Sequence, residues 1–389
     1  MNGHSRLAPS SAYRWVECPL SVSLSEEFPA LMQDPSGPEG TAAHWVWYSM
    51  IKSHTPVVGE LTPEGIQVTQ EMLDGALQFV NKVFAIANPH QAMRKVRLEE
   101  QCEMRGIHHV MFGTPDAEID LLEEAGEYHI VDYKYGHRSV EPFENWQLAG
   151  YAFGAFERLK LSDEQIDNAK VFFHIVQPRC YHNRQASQTW ETPGKNLRRM
   201  WNRMRESAKE AITLELAAYP SLGPHCRDCP GRRACPTFRT NTGANMDWAS
   251  RSWPNQMPLE AAGVELSFIR GALEQLKAAE TALSEQVEYE ISQGGFSPHW
   301  ALEASPGRGR EWIVPAEQVI ELGDMVEVSL AKKAEPITPS QAIELFKKKG
   351  FDTSLIAEYS VPKKGAVSLK PKTDTLASRV FGAKNNGMA

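Results

Sequence analysis

Two short segments in which apolar and polar residues alternate, Ala117-Glu118-Ile119-Asp120-Leu121-Leu122 and Tyr128-His129-Ile130-Val131-Asp132-Tyr133, are separated by Glu123-Glu124-Ala125-Gly126-Glu127. A period of two marks a strand, and a short glycine-containing break between two strands marks a hairpin turn. The chain must then double back so that Asp116, expected in the first strand, stands across from Asp132 near the end of the second. Lys134 lies two residues beyond Asp132 and so shares its face. Gly113 and Pro115 place Asp116 in a turn that exposes the start of its strand. Glu118 and Asp120 fall on the same face in this alternation, and either replaces Asp116 in another register.

Two carboxylates at one sheet edge suit Mg2+ or Mn2+, hard cations that take oxygen ligands and stabilise charge developing on a phosphodiester. A lysine beside them can hold a nucleophilic water or neutralise the transition state. Carboxylates and a lysine on a hairpin are also what an ordinary solvated face looks like, so the pattern has to be judged by its company. Residues 141–158 return to helical spacing, and Gln147 and Tyr151, four apart, share one face of that helix. A glutamine can orient a metal ligand or a phosphate, and a tyrosine can bond backbone oxygens, stack on a base or simply pack. His44, in Gly40-Thr41-Ala42-Ala43-His44-Trp45, is the remaining candidate ligand, although a histidine on an apolar helix also serves as a core residue.

The six cysteines are unevenly spread. Cys226, Cys229 and Cys235 supply three thiolates at close spacing, and Cys18, followed by Pro19, is the distant fourth that a tetrahedral zinc or iron-sulfur site requires. His225 is an alternative ligand for zinc. Cys102 and Cys180 have no partner at ligand spacing and read as packed thiols.

At 389 residues, with 42% hydrophobic and 23% charged side chains, the composition is that of an ordinary soluble protein of about two domains. No apolar run approaches the roughly 18 residues of a membrane span. The start of the chain lacks the apolar stretch of a signal peptide, so a cytoplasmic, reducing location is expected, the host cytoplasm for a phage-encoded chain. The net charge of -8 does not exclude a nucleic-acid groove, because the local distribution decides. From Ala331 onward Lys and Arg number eleven against five acids, including Lys347-Lys348-Lys349, Lys363-Lys364, Lys370 and Lys372.

The expected architecture is α/β, with a central mixed β-sheet flanked by helices and a mainly helical C-terminal module. Helices are expected over 9–28, from Gly40, over 64–88, 141–158 and about 194–217, and strands at 96–99 and 171–176. Residues 237–257 are polar and read as a linker. A long helix over 258–293 ends at Gly294-Gly295, a hairpin is expected around 306–310, and short helices near 315–322 and 338–349 precede a tail that frays after about 375. No internal repeat is visible.

The order His44, Gly113-x-x-Asp116, Asp132-x-Lys134, Gln147-x3-Tyr151, with Cys18 upstream and the cysteine triplet downstream, resembles the RecB-type branch of the PD-(D/E)XK nucleases. It is similar in particular to the iron-sulfur exonucleases of CRISPR adaptation modules and AddAB-type helicase-nucleases, and to their stand-alone phage relatives. The motifs span about 10–240. The resemblance implies a restriction-endonuclease-like core over 1–240; composition and periodicity add a linker over 241–257, a C-terminal module over 258–375 with a possible DNA-binding role, and a flexible tail over 376–389. It implies Mg2+ or Mn2+ held by His44, Asp116, Asp132 and the Tyr133 carbonyl, Lys134 as catalytic lysine, and Gln147 and Tyr151 as substrate contacts. It further implies a [4Fe-4S] cluster on Cys18, Cys226, Cys229 and Cys235 that staples the first helix to the end of the nuclease domain. Asp132 stands where many members have Glu, an allowed variant, and no G-x4-GK[ST] motor signature occurs.

The activity so implied is a DNA exonuclease acting on single- or double-stranded DNA with free ends, in phage recombination or DNA processing. A single-strand-binding or recombination protein is the partner expected of such a chain, and oligomerisation is open. The rival expectations are a structure-specific endonuclease and a non-catalytic DNA-binding or assembly protein of the same fold. Arg198, Arg199, Arg203 and Arg205 on one helix, Arg179 after a strand, and Arg308-Gly309-Arg310 are the expected phosphate contacts, or else ordinary solvated charge.

Overall fold

The computed structural model describes residues 5–31, 37–52, 54–180, 185–213, 219–249, 256–302 and 347–348. Met1–Leu302 form one compact unit and Glu303–Ala389 a second. Of the second, only Lys347 and Lys348 are described, both helical. The expected hairpin around 306–310 and the helix near 315–322 lie outside the described residues, as does the rest of the one near 338–349.

The first unit contains helices α1 (Ala12–Trp15), α2 (Ser21–Glu27), α3 (Gly37–Lys52), α4 (Gln70–Ala87), α5 (Leu122–Ala125), α6 (Trp146–Leu159), α7 (Asp163–Asn168), α8 (Gly194–Ile212), α9 (Pro236–Ala249) and α10 (Leu259–Ser292). Its strands are β1 (Val96–Leu98), β2 (Cys102–Glu103), β3 (Phe112–Gly113), β4 (Ala117–Leu121), β5 (Glu127–Tyr133), β6 (Lys170–Val176) and β7 (Ser187–Pro193). Five strands form a mixed sheet in the order β1-β4-β5-β6-β7, and β2 and β3 make a small ladder of their own. All pairings in the large sheet are antiparallel except β5 with β6. A parallel pair needs a crossover, and α6 and α7 supply it.

The hairpin expected from period-two alternation is present. Ala117 pairs with Val131 and Leu121 with Glu127. The turn is the single helical turn α5, closed by Gly126 at φ +69°, a left-handed conformation that costs a glycine nothing. Asp116 lies immediately before β4 rather than within it. Continuing the register still sets it opposite Asp132.

Strand β5 is buried on both faces because helices cover each side of the sheet. Tyr128 and Ile130 pack with Leu148, Ala152 and Phe156 of α6 and with Leu197, Trp201 and Met204 of α8. Val131 and Tyr133 pack on the other side with Trp47 of α3 and Met72, Phe79 and Val83 of α4. Fully burying each such side chain contributes on the order of 2 kcal/mol, which is why the two helical layers hold the sheet rigid. The caps are local: Thr69 accepts from Met72 N at the start of α4, and Asn145 accepts from the N–H groups of Gln147 and Leu148 at the start of α6. Each is worth about 1 kcal/mol.

Several boundaries differ from the sequence reading. The helix expected over 9–28 is broken into a 3-10 turn, α1 and α2, because Cys18-Pro19 interrupts it. The helix expected from 64 starts at Gln70, since Leu61 and Gln67 bridge across a glycine turn, Gly65 standing at φ +78°. Polar β7, paired along its whole length with β6, was not expected, because an edge strand exposed on one side carries little apolar signal. The stretch read as an irregular linker is helical through Ala249. Its Phe238 packs with Ala278 of α10 and with Cys235, and Asn245 bonds Gln275 at 2.9 Å. One buried aromatic in fourteen residues is too sparse a pattern to announce a helix.

Candidate metal centre

The end of β5 and the turn before β4 converge on His44 of α3. Among the described residues, His44, Glu99 and Asp116 are the group of His, Cys and acidic side chains whose ligand atoms all lie within 4.8 Å of one another. His44 Nδ1 stands 3.3 Å from Asp116 Oδ1 and 3.9 Å from Glu99 Oε1. The His44 ring is braced by Tyr133, ring centroids 5.3 Å apart, and Tyr133 is itself held edge-on by Phe79.

Glu99 was not among the residues singled out from the sequence. It follows β1 at φ +48°, a left-handed conformation that a non-glycine residue adopts at a cost of about 1 kcal/mol or more. Its N–H donates to the Asp116 carbonyl at 3.1 Å, so backbone pairing holds the strained residue against the site. Spacing along the chain contains no trace of this, since the strain belongs to the turn out of β1.

On the other side of Asp116 the remaining predicted residues assemble. Asp132 is buried, and its Oδ1 accepts from Lys134 Nζ at 3.1 Å and from Gln147 Nε2 at 3.1 Å. Lys134 Nζ also donates to Gln147 Oε1 at 3.2 Å. Gln147 Nε2 lies 3.5 Å from the Tyr151 hydroxyl, which donates to the Thr114 carbonyl at 3.1 Å. A β-carbon added at Gly113 would come within 3.1 Å of the Tyr151 ring and 2.9 Å of Pro9, so only glycine lets the turn before Asp116 approach α6 this closely. Helical spacing therefore does bring Gln147 and Tyr151 over the carboxylates.

The electrostatics divide the two carboxylates. Burial raises the pKa of Asp116, but the charge and hydrogen bond of His44 outweigh it, and Lys134 and the Tyr133 N–H add to them, so Asp116 is held below the usual range. Burial dominates at Asp132; with the neighbouring charge of Asp116 it outweighs Lys134 and pushes the group up to about 6. Burial opposes charge on Lys134, yet Asp132 and Asp116 together raise its pKa. Lys134 is therefore a cation and a donor at neutral pH. Burial also opposes charge on His44, and Asp116 reverses it, raising the pKa above that of a free imidazole.

These residues fit a divalent cation by their chemistry: carboxylate oxygens with one imidazole suit Mn2+ or Mg2+. Asp132 Oδ2 is buried and receives no well-formed hydrogen bond, despite lying 3.0 Å from Lys134 Nζ. A buried carboxylate oxygen without a donor is what a cation would satisfy. The two alternative carboxylates have partners elsewhere. Glu118 is buried against Arg158 at 2.7 Å, and Asp120 accepts from Leu122 N at the hairpin turn.

Cys18, Cys226, Cys229 and Cys235 line one pocket together with His225. Burial raises the Cys226 and Cys229 thiols, and the neighbouring cysteines add to it. The four share one pocket, but among the described residues no cysteine belongs to the group whose ligand atoms all lie within 4.8 Å of one another. His225 Nε2 is 2.9 Å from the Ser221 carbonyl, which leaves Nδ1 as the ring nitrogen for a metal. The expected phosphate contacts fare differently. Arg179 lies over the Tyr135 ring and pairs with Glu39 and Glu71, clamping the starts of α3 and α4. Arg198 pairs with Asp163 and Asp167, Arg199 with Glu144, and Arg205 bonds the Gly106 carbonyl. Arg308 and Arg310 lie outside the described residues.

A family model described as "Protein of unknown function (DUF2800)" matches residues 4–376. The chain belongs to this family. Among solved structures it is similar to one titled "Crystal structure of SSO0001", at 13% identity and a TM-score of 0.26, over 59% of this chain and 85% of that one. Within this DUF2800 protein no helix among the described residues is long and apolar enough to cross a membrane.

Proposed function

We propose that this DUF2800 protein is a metal-dependent DNA nuclease of the PD-(D/E)XK, RecB-like type, acting as an exonuclease on DNA ends. The observation that carries the reading is the convergence of His44, Glu99 and Asp116 within 4.8 Å, with Asp132, Lys134 and Gln147 linked beside them. His44, Glu99, Asp116 and Asp132, with the Tyr133 carbonyl, are the groups that would hold Mg2+ or Mn2+. Such an ion supplies positive charge that stabilises a phosphoryl transition state.

The chain's own residues do the rest. Lys134 keeps its proton and uses two N–H groups on Asp132 and Gln147, leaving the third for an attacking water or a phosphate oxygen. Gln147, held by Asp132 and Lys134, fixes the direction of that ammonium. Tyr151 anchors the turn that bears Asp116 rather than facing substrate directly. Cys18, Cys226, Cys229 and Cys235 would hold a [4Fe-4S] cluster that ties α1 and α2 to the cysteine loop without entering the chemistry.

The test is digestion of end-labelled single- and double-stranded DNA with Mn2+, beside Asp132→Ala. Metal-dependent shortening from an end, lost in the variant, supports the reading; equal cleavage by both proteins overturns the catalytic assignment. Cutting of covalently closed circles would make the protein an endonuclease, and absence of any cleavage would leave a DNA-binding protein of this fold. A brown protein whose colour vanishes in Cys226→Ser supports the cluster, and a colourless one with bound zinc replaces it.

A further inference from the structure

Helix α10 has two apolar faces, and the fold uses one of them. The face built of small residues lies on the cysteine loop and α9. Ala278 and Ala282 are buried there, Ala278 packs with Phe238 and Cys235, and Glu285 pairs with Arg232 at 2.9 Å. About 180° round the helix, Leu266, Ile269, Leu273, Leu276, Leu283 and Val287 recur at alternating steps of three and four, with Glu280 standing in the one place between them that is not apolar. Among the described residues, none of these six side chains belongs to a hydrophobic cluster of the fold. Leu273 and Leu283 are 50% and 63% exposed.

A seven-residue repeat of this kind is the pattern by which one helix seats its side chains in the holes of another. A helix that is apolar on two opposite faces is one that is covered on both. Charge then chooses which helix covers it and which way that helix runs. In a parallel pair in register, two Glu280 carboxylates would face each other out of water, at a cost that the leucines beside them cannot offset. When α10 runs antiparallel to a second α10, with Leu273 opposite Leu283 of the other copy, Ile269 meets Val287 and Glu280 comes level with Leu276. Lys277, the next residue, then stands on the same side as that carboxylate. Lys277 is 71% exposed and lies 3.6 Å from Glu274 of its own helix; an ammonium has three donors and serves both acids. The twofold axis repeats the contact, so two Lys277–Glu280 pairs flank it.

We propose that α10 joins two copies of this chain as an antiparallel coiled coil, the seam from Leu266 to Val287 of each packed on that of the other. In this register the two helices overlap over about 42 Å, and a strip of that length and about 12 Å wide buries about 500 Å² on each copy. The sum of about 1,000 Å² is the size that a specific interface needs. The contacts of α10 with the cysteine loop and α9 lie on the far side of each helix and stay as they are. The dimer depends on neither metal nor DNA, so it stands or falls apart from the nuclease reading.

Sedimentation velocity of the full chain over a concentration series reads the stoichiometry, and the wild type should be a dimer. Leu283→Glu replaces a leucine exposed in the single chain, and both copies carry the change, so the dissociation constant should rise at least about hundredfold while the circular dichroism spectrum stays the same. Lys277→Glu and Glu280→Lys should each weaken the dimer, and the two together should restore it, because the pair re-forms with its signs reversed. If Leu283→Glu loses helix content, this exchange decides alone. Direction is read by oxidative cross-linking: Leu273→Cys mixed with Leu283→Cys should give a linked dimer that neither variant gives by itself. Wild-type chain that stays monomeric leaves the seam to some other chain and overturns the proposal. A dimer indifferent to Leu283→Glu, additive losses in the charge exchange, or linkage of Leu273→Cys to its own kind overturns it too.

Discussion

Asp116 Oδ2 accepts the backbone N–H of Tyr133 at 2.6 Å, while its Oδ1 faces His44 at 3.3 Å. One carboxylate therefore joins the end of β5 to α3, across the opening of the site. The same bond sets Asp132 and Lys134, on either side of Tyr133, against Gln147 on α6. The metal centre is thus assembled from five separate stretches of chain: α3, the turn out of β1, the turn before β4, the end of β5 and α6.

Glu99 tests the centre from the side the sequence did not announce. Glu99→Gly should relieve the left-handed strain and raise unfolding free energy by about 1 kcal/mol, while weakening Mn2+ binding roughly tenfold or more. Denaturant unfolding and Mn2+ titration by calorimetry read the two effects separately. Unchanged Mn2+ affinity would remove Glu99 from the ligand set.

Glu118 and Arg158 form a buried pair outside the centre. Burial raises the pKa of Glu118, and the charge of Arg158 opposes it. Removing the arginine leaves the carboxylate with Arg97, whose Nε lies 3.8 Å away, so Arg158→Met should cost about 2 kcal/mol, and adding Glu118→Gln should restore part of it. A double-mutant cycle in urea unfolding measures the coupling. Additive losses would mean that the pair contributes nothing of its own.

His129 and His174 give the first unit an acid-side weakness. They contact through His129 Nδ1 and His174 Nε2 at 3.1 Å, and His174 reaches Thr189 at 2.9 Å. Burial, with Lys82 and His90 adding, depresses His129 to about 4, and burial also holds His174 well below the ordinary imidazole value. A depressed folded pKa means that both are neutral when folded but take protons when unfolded. Their stabilisation is complete above about pH 6.5, the unfolded value, and is lost as pH falls toward 4. The loss from His129 alone is on the order of 3 kcal/mol at full titration. His129→Phe should flatten unfolding free energy between pH 6.5 and 4.5, and a wild-type slope in that variant would contradict the assignment.

The cysteine pocket predicts a mechanical effect. Gly231 packs so tightly that an added β-carbon would lie 2.6 Å from Leu24 Cβ and 2.9 Å from its carbonyl oxygen, pressing the loop onto α2. Gly231→Ala should therefore lower Tm by several degrees and speed hydrogen exchange in α2, without changing Mn2+ affinity at the distant centre. Altered Mn2+ affinity would show that the two sites are coupled.

Much of the candidate centre was legible in residue order because its parts follow local rules. Alternation places Asp132 and Lys134 on one face, a glycine turn reverses the hairpin, and helical spacing sets Gln147 above Tyr151. Close spacing within a short loop brings Cys226, Cys229 and Cys235 into one pocket whatever the packing, whereas the presence of Cys18 in that pocket needs the fold. The missed features, β7, α9 and the strained Glu99, share a cause: each is held by contacts with a distant partner, β6, α10 and Asp116 respectively.

The sequence by itself therefore determined the elements whose side chains repeat with the period of their own backbone, and with them the hairpin and the order of the polar groups. Only the tertiary structure decided which groups meet. It buried Glu118 against Arg158, tied Arg179, Arg198 and Arg199 to acids, and brought Glu99 and His44 to Asp116. The reason is physical: periodicity reports which face of an element is buried, whereas the partner waiting on that face is chosen by how the helices close over the sheet.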